Sequence, residues 1–174
     1  QYIFRPNSDL ETLKEYIRQF DVNGIICIEF FTRRSADKIL SLGIPTVFMD
    51  HFYGDEDLNG EYDIVLPDNV NAVRSACKKL IAAGADDFSF IGNPRNCKSF
   101  YERFLGMREA LYEEGLPYSP ELSLTRDNSF PYGSAEALAE AFSRFVRLPD
   151  CFVCANDFIA LSVIDALKQM KKLH

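Results

Sequence analysis

Short apolar runs alternate with longer amphipathic stretches along the chain, and glycine often marks the change from one to the other. Apolar runs bounded by turn residues are typical of buried strands, whereas apolar residues spaced three or four apart are typical of helices. Their alternation predicts an α/β fold with mainly parallel sheets. Strands are predicted at residues 2–4, 25–28, 46–49, 64–66, 88–91, 122–124 and 151–154.

Helices are predicted between these strands. Ser8 and Glu11 form an S-x-x-E capping box, which predicts the start of a helix that ends near Phe20. Asn69 is the predicted N-cap of a later helix, because Asn is among the best acceptors for the first free backbone N–H groups. The other helices are predicted near residues 35–41, 69–83, 101–114 and 133–145 and after Asn156, and residues 51–63 are predicted to form a loop.

Negative charge is concentrated in the first part of the chain, whose net charge is −7 overall. Residues 1–68 hold 6 Lys and Arg against 13 Asp and Glu, whereas residues 69–174 hold 13 of each. Such a surface repels phosphate backbones, so the chain by itself is not predicted to bind nucleic acid. No apolar run approaches the ~20 residues of a membrane span, and no membrane contact is expected.

Five cysteines, an odd number, do not form a disulfide framework and suit a reducing compartment. No export signal is visible at the start of the chain, and we therefore expect a cytoplasmic protein. Cys151 and Cys154 form a C-x-x-C motif inside a predicted strand, where residues three apart point to opposite faces. We expect them to act as small buried hydrophobic residues, not as a redox pair or metal site.

Polar and aromatic side chains follow several predicted strands, and in parallel α/β sheets these carboxyl ends carry the binding sites. Carboxylates and carboxamides can bind the hydroxyl groups of a small polyol, while aromatic rings cover its apolar face. Each Asp or Asn alone could simply cap the next helix, so the prediction rests on the convergence of several. They lie at Glu29–Phe31, Asp50-His51, Asp68-Asn69, residues 93–101, Asp127-Asn128 and Asn156-Asp157.

Other chemistries find weaker support. Asp50 and His51 could be half of a catalytic dyad, but the only other histidine is His174 and no G-x-S-x-G motif is present. Residues 55–60 fit the first half of a calcium loop, yet its twelfth position is Leu66 instead of Glu. Glycine-rich phosphate motifs are absent. The sequence predicts no metal, no cofactor and no catalytic residue.

Six segments form an ordered series across nearly the whole chain. They are residues 22–26, residues 42–50, residues 65–69 with the helix end at 80–84, residues 90–94, residues 99–107, and Cys154-Ala155-Asn156-Asp157-Phe158-Ile159-Ala160-Leu161. In this order they resemble the effector-binding domain of the lactose-repressor (LacI/GalR) family of bacterial transcription regulators. The last segment is the most specific of the six.

The resemblance implies a periplasmic-binding-protein-like fold, in which two Rossmann-like lobes close on a small molecule. It implies a partial N-terminal lobe at residues 1–67 and a partial C-terminal lobe at residues 68–174, because the family's first strand and helix and its last segments are missing here. Arg103 matches a recurrent arginine of the family, and the resemblance leaves two roles open for it: binding the ligand or bracing a loop. The positions matching ligand-binding positions of the family are Asp50, Ser99, Tyr101, Arg103, Asn128 and Asn156, with Cys97 beside them.

We therefore expect the sensing domain of a transcription regulator that has no enzymatic activity. We expect a small-molecule effector, a sugar, to bind between the lobes and to change the affinity of a homodimer for operator DNA. The DNA contacts would come only from a helix-turn-helix segment that is missing from this chain. The alternatives are a stand-alone solute-binding protein of the same fold and, from a different class, a small α/β enzyme that uses Asp50 and His51.

Overall fold

Parallel strands and helices alternate along the part of the chain that the structure, a computed structural model, describes: residues 10–28, 32–52 and 61–171. The chain divides into two compact units, Gln1–Pro67 and Asp68–His174. Among the described residues, each unit contains one parallel sheet, and its sequential strands are neighbours. The predicted α/β class with mainly parallel sheets is confirmed.

The first unit contains a three-stranded parallel sheet with strand order β1-β2-β3. Helix α2 begins after Thr32, whose hydroxyl accepts a hydrogen bond from the Ser35 backbone N–H and so satisfies one free donor of the first turn. The elements of this unit are α1 (Leu10–Phe20), β1 (Ile25–Ile28), α2 (Arg33–Leu40), β2 (Thr46–Met49) and β3 (Tyr62–Val65).

One face of this sheet is covered by helices. Cys27 of β1 and Phe48 of β2 are almost fully buried there and pack with Leu13 of α1 and Ile39 of α2. Residues on the other face are exposed; Ile28, for example, is 61% exposed. The alternation along β1 and β2 thus separates a packed face from an open one.

The second unit contains the two-stranded parallel sheet β4-β5. Its strands are in register from Phe88 opposite Cys151 to Ile91 opposite Cys154, so both strands end at the same edge. The elements of this unit are α3 (Asn69–Ala82), β4 (Phe88–Ile91), α4 (Lys98–Glu113), a 3-10 turn (Pro120–Leu122), α5 (Ala135–Phe142), β5 (Cys151–Cys154) and α6 (Asp157–Gln169).

The larger hydrophobic core lies in the second unit, where all four residues of β4 are buried. Phe90 of β4, Met107 of α4 and Leu138 of α5 have no exposed surface. Full burial of each such side chain contributes about 1.5–3 kcal/mol. This core holds the carboxyl ends of β4 and β5 in fixed positions.

The strand predicted at residues 122–124 is wrong. Pro120 begins a 3-10 turn that includes Leu122, since proline fixes the φ angle needed there. Only Leu124 pairs with the sheet, through an isolated parallel bridge to Ile91. Its N–H donates to the Phe90 carbonyl at 2.9 Å, and its carbonyl accepts from the Gly92 N–H at 3.0 Å.

Several predicted boundaries also need correction. Strand β3 begins at Tyr62, inside the predicted loop, because it pairs with β2 from Thr46 onward. Helix α4 begins at Lys98 instead of residue 101, since the extended backbone of Cys97 places the N-cap there. Helix α5 spans only Ala135–Phe142, with Ser134 as its N-cap.

Asn69 was predicted to be the N-cap of α3, but it is the first residue of the helix. Asp68 is the cap, and its carboxylate accepts from the Asn71 backbone N–H at 3.2 Å. The bonds from the Asn71 side chain and N–H lower the pKa of Asp68. Asn69 is therefore available for contacts elsewhere.

Four predictions lie outside the described residues: the strand at 2–4, Ser8 of the capping box, the aromatic segment 29–31 and the calcium-like segment 55–60. In the described part of the chain, every helix is too short or too polar to cross a bilayer.

Candidate functional site

Three loops of the second unit leave the sheet at one edge. The carboxyl ends of β4 and β5 are adjacent because the strands are parallel and in register, and the Leu124 bridge brings the following loop beside them. We term this region the polar edge and define it as residues 92–97, residues 125–130, residues 155–156 and the first two turns of α4. It is the position where binding sites form in parallel α/β sheets.

A network of carboxamides joins two of these loops. Asn128 accepts a hydrogen bond from Asn93 Nδ2 at 2.8 Å through its Oδ1, and its Nδ2 donates to Asn96 Oδ1 at 2.7 Å. Asn93 Oδ1 in turn accepts from the Arg95 backbone N–H at 3.0 Å. Asn128 is exposed. The network therefore presents amide donors and acceptors at the surface while fixing their orientation.

Asp127 stabilises the turn that carries Asn128. Its Oδ1 accepts hydrogen bonds from the hydroxyl and the backbone N–H of Ser129, and both bonds lower the pKa of Asp127. The guanidinium of Arg126 lies 5.4 Å from the centre of the Phe130 ring, within the range of a cation–π contact. The loop is thus braced by its own side chains.

Asn156 is the N-cap of α6. Its Oδ1 accepts from the Ile159 backbone N–H at 2.9 Å. This is the helix-capping role that any Asn after a strand can serve. No described residue accepts a hydrogen bond from Asn156 Nδ2, and the side chain is half-buried at the polar edge.

Arg103 connects α4 to two other segments. Its Nε donates to Asn69 Oδ1 at 3.1 Å, and one terminal nitrogen donates to the Ala155 carbonyl at 2.5 Å. Asn69 also donates through its Nδ2 to Glu102 Oε2 at 2.9 Å. These contacts correspond to the bracing role that the sequence left open for Arg103.

Ser99 and Tyr101 lie in the first two turns of α4. Ser99 is only 3% exposed, and its hydroxyl lies 3.3 Å from the thiol of the buried Cys97. Tyr101 is 38% exposed, so part of its ring faces solvent. The structure thus brings Ser99, Tyr101, Arg103, Asn128 and Asn156 to one edge of the second unit.

Asp50 belongs to the first unit, where it directly follows β2. Its φ angle of +70° is tolerated by Asp better than by most residues, and its Oδ1 accepts from the His51 backbone N–H at 2.7 Å. The Nδ1 of the buried His51 lies 3.0 Å from the Phe52 carbonyl oxygen. Both contacts are local to the turn and do not form the carboxylate–imidazole pair of a catalytic dyad.

Cys151 and Cys154 are free thiols, and both pack against the main core. They were predicted to be buried, but the structure shows them half-buried. Burial raises the pKa of Cys154 to about 12. A thiol with so high a pKa is a poor nucleophile and metal ligand at neutral pH. The rejection of a reactive C-x-x-C motif is therefore consistent with its environment.

One group of carboxylates in the described residues has a spacing that could hold a metal ion: Asp86, Asp87 and Asp150. Asp150 Oδ2 already accepts from the backbone N–H groups of Asp86 and Asp87, and Asp87 pairs with Arg147. The group lies where β4 and β5 begin, away from the polar edge. It serves to join the two strand starts.

Sequence reasoning missed Glu102 as a functional candidate, because it was not singled out within the 99–107 segment. Asn69 was named both as a helix cap and in the polar set that follows the strands, but not for its contact with Glu102. Their contact joins residues 33 positions apart on different helices. The burial of Asn69, which is 4% exposed, becomes visible only once α3 packs on α4.

A family model described as a periplasmic binding protein-like domain matches residues 77–173. The HTH-type transcriptional regulator RegA of Clostridium saccharobutylicum is 28% identical over 168 residues, which cover 92% of this chain and 48% of that protein. The structure of a transcriptional regulator CelR–cellobiose complex has a TM-score of 0.72 and 25% identity, covering 92% of this chain and 48% of that one.

A regulatory protein of LacI family from Chloroflexus aggregans has a TM-score of 0.70 at 18% identity, covering 97% of this chain and 59% of that one. At this identity the similarity concerns the fold alone. The chain spans about half the length of the curated relatives it matches.

Proposed function

Because the chain belongs to the family of periplasmic binding protein-like domains and its relatives are LacI-type transcriptional regulators, we propose that it senses a small-molecule effector for a regulator of transcription. The effector is a sugar or a similar polar metabolite. The observation that carries the proposal is the convergence at the polar edge of five polar or aromatic side chains from three segments: α4, the loop after Leu124 and the loop after β5.

The chemistry of the polar edge supports a polyhydroxylated ligand. The carboxamides of Asn93, Asn96 and Asn128 form one oriented network, so each can offer a remaining donor or acceptor to a hydroxyl group. Asn156 uses its Oδ1 for capping, and its Nδ2 has no acceptor among the described residues, so this donor remains for a ligand. The exposed part of the Tyr101 ring can cover the apolar face of a sugar.

By the resemblance, Asp50, Ser99 and Arg103 are each further candidates for contacts with the effector. A carboxylate can accept hydrogen bonds from two neighbouring hydroxyl groups, and a guanidinium can donate two in parallel. Two of the three guanidinium nitrogens of Arg103, Nε and one terminal nitrogen, already donate to Asn69 and Ala155. Its ligand contact therefore uses the nitrogen that these bonds leave over.

A sensor of this kind acts by differential affinity. The effector shifts an equilibrium between two states of the regulator only to the extent that it binds one state more tightly. Operator DNA is bound by a helix-turn-helix segment of the whole regulator, and the acidic first unit takes no part in that contact. A regulator of this class works in the cytoplasm, and the sensing domain binds its effector without converting it.

The proposed regulator is a homodimer, and α6 supplies an apolar surface for it. Phe158 and Leu161 are each 63% exposed and lie with Ile164 along one stripe of the helix. In an antiparallel contact between two copies of α6, Asp157 of one copy lies toward Lys168 of the other, so opposite charges meet. Two-fold symmetry of this type is the commonest arrangement of homo-oligomers.

The test is thermal unfolding of the chain with a panel of sugars that includes cellobiose, glucose, galactose, ribose and maltose. A sugar present at 100 times its Kd stabilises the folded state by about 2.7 kcal/mol. For a chain of this size, that corresponds to a rise in Tm of about 5–10 °C. A flat response to every member of a broad panel contradicts a sugar effector.

Asn156→Asp separates the two roles of that residue. Asp also caps helices well, so α6 and the fold are expected to survive. The amide donor is lost, and the Kd for the sugar that raises the Tm most is expected to rise about tenfold, as for one hydrogen bond. Asn23→Asp, at an exposed turn of the first unit, is the matched control and leaves the Kd unchanged.

A further inference from the structure

A buried carboxamide lies at the start of α3, directly after the boundary between the two units. Asn69 is 4% exposed, and both ends of its amide are used. Its Nδ2 donates to Glu102 and its Oδ1 accepts from Arg103. Because one end donates and the other accepts, Glu102 fixes which way the amide is turned.

The orientation of this amide matters for Arg103. With Oδ1 facing it, Arg103 Nε has an acceptor at 3.1 Å, and the guanidinium plane is held from one side. A terminal nitrogen of the guanidinium donates to the Ala155 carbonyl and so holds the group at a second point. If the amide turned over, its NH₂ group would face the guanidinium and two donors would meet.

The Ala155 carbonyl is the first acceptor after β5, and the next residue is Asn156. Asn156 caps α6 through Ile159, so the position of Ala155 sets where the cap lies. A continuous chain of contacts therefore runs from Glu102 through Asn69 and Arg103 to the cap of α6.

We propose that Asn69 and Glu102 are positioning residues for the effector site: they orient Arg103, which holds the Ala155 carbonyl and thereby places Asn156. The inference deepens the proposed function and rests on it, because Arg103 and Asn156 are two of the groups assigned to the effector. Neither Asn69 nor Glu102 needs to contact the effector itself.

The test measures amide hydrogen exchange in the full chain without added sugar. The reporter is the Ile159 N–H, which donates to Asn156 Oδ1. The reference is the Leu124 N–H, which donates to Phe90 in the sheet. In Asn69→Ala, exchange at Ile159 is expected to accelerate roughly tenfold or more, the order expected from losing a hydrogen bond to a charged group, while exchange at Leu124 is unchanged.

The matched control is Asn71→Ala. Asn71 lies in the same turn of α3 and also joins a carboxylate and an arginine, Asp68 and Arg74. It has no contact with Arg103, so Ile159 should exchange as in the original chain. Equal acceleration by Asn69→Ala and Asn71→Ala would show a general loosening of α3 and would overturn the inference.

Glu102 provides a second test that does not depend on the stability of Asn69→Ala. Glu102→Gln retains an acceptor for Asn69 Nδ2 and is expected to leave exchange at Ile159 nearly unchanged. Glu102→Ala removes the acceptor and is expected to accelerate it. The inference falls if both variants, or neither, change the Ile159 exchange rate.

These outcomes are independent of the sugar panel. If a sugar binds but the Ile159 exchange rate does not respond to Asn69→Ala, the positioning role is wrong and effector sensing stands. If no sugar binds but the exchange rates follow the expected order, the chain of contacts stands and the assignment of the effector class falls.

Discussion

Gly106 allows α3 and α4 to approach closely, and Gly106→Ala tests that packing. A Cβ atom built on Gly106 would overlap sterically with the carbonyl oxygen of Val70. It would also lie 3.2 Å from the Arg74 backbone nitrogen. These are backbone atoms of α3, which no change of rotamer can move away. The substitution therefore forces the two helices apart.

Two opposing effects set the magnitude. Alanine is the better helix former by about 1 kcal/mol, which alone would make Gly106→Ala stabilising. Overpacking a tight contact typically costs about 1–3 kcal/mol, and a rigid backbone contact belongs at the upper end of that range. We expect a net loss of about 2 kcal/mol in the free energy of unfolding.

The assay is urea unfolding at constant m-value, with Tm as a second readout. A loss of about 2 kcal/mol lowers the Tm by roughly 4–8 °C for a chain of this length. Gly24→Ala is the control, because its nearest neighbour, the Pro45 carbonyl oxygen, would lie at an ordinary 3.8 Å. If Gly106→Ala is as stable as the original chain or more so, the close helix contact is wrong.

Three further predictions concern other parts of the molecule. Burial raises the pKa of Cys77 and Cys154 to about 12, so a thiol reagent at pH 8 should label both at least about tenfold more slowly than an exposed cysteine; rapid labelling contradicts their packing. Glu113→Gln should lower the free energy of unfolding at pH 7, because hydrogen bonds from Lys78 and Arg74 lower the pKa of Glu113 below its usual value of about 4.5. The difference in stability between the variant and the original chain should shrink below about pH 4.5 and vanish as the pH falls through the lowered pKa. A difference that does not depend on pH refutes the charge pairing. Leu161→Lys should convert a dimer to a monomer in light scattering, and an unchanged mass excludes the α6 surface.

Short buried strands were predictable because local pattern and final environment agree. The segments 25–28, 46–49, 88–91 and 151–154 were predicted with the bounds that the structure has. Each is an apolar run stopped by glycine, proline or polar residues, so no distant contact was needed to define it. The ordered motifs gave the family for the same reason, because each is contiguous.

Elements that depend on a partner were predicted less well. Residues 122–124 have the alternation of a strand, but Pro120 starts a 3-10 turn and only Leu124 reaches the sheet. The start of β3 at Tyr62 follows from pairing with β2, which an acidic sequence around Asp63 does not reveal. In both cases tertiary contacts outweighed the local pattern.

The site could be predicted as a set of positions but not as a set of contacts. Strand ends indicated where Asn128 and Asn156 lie, since loops leave a parallel sheet at one edge. The bond between Asn69 and Glu102 depends on how α3 crosses α4, and that crossing depends on the close approach at Gly106. No pattern within either helix specifies it.

The most direct test of effector sensing maps the side-chain amide NMR signals of asparagine while cellobiose and the other panel sugars are added. The signals of Asn93, Asn96, Asn128 and Asn156 should shift together with saturable dependence on one sugar, while the signal of Asn23 stays in place. A saturable sugar response that moves other signals and leaves these four unchanged would contradict the polar edge as the effector site.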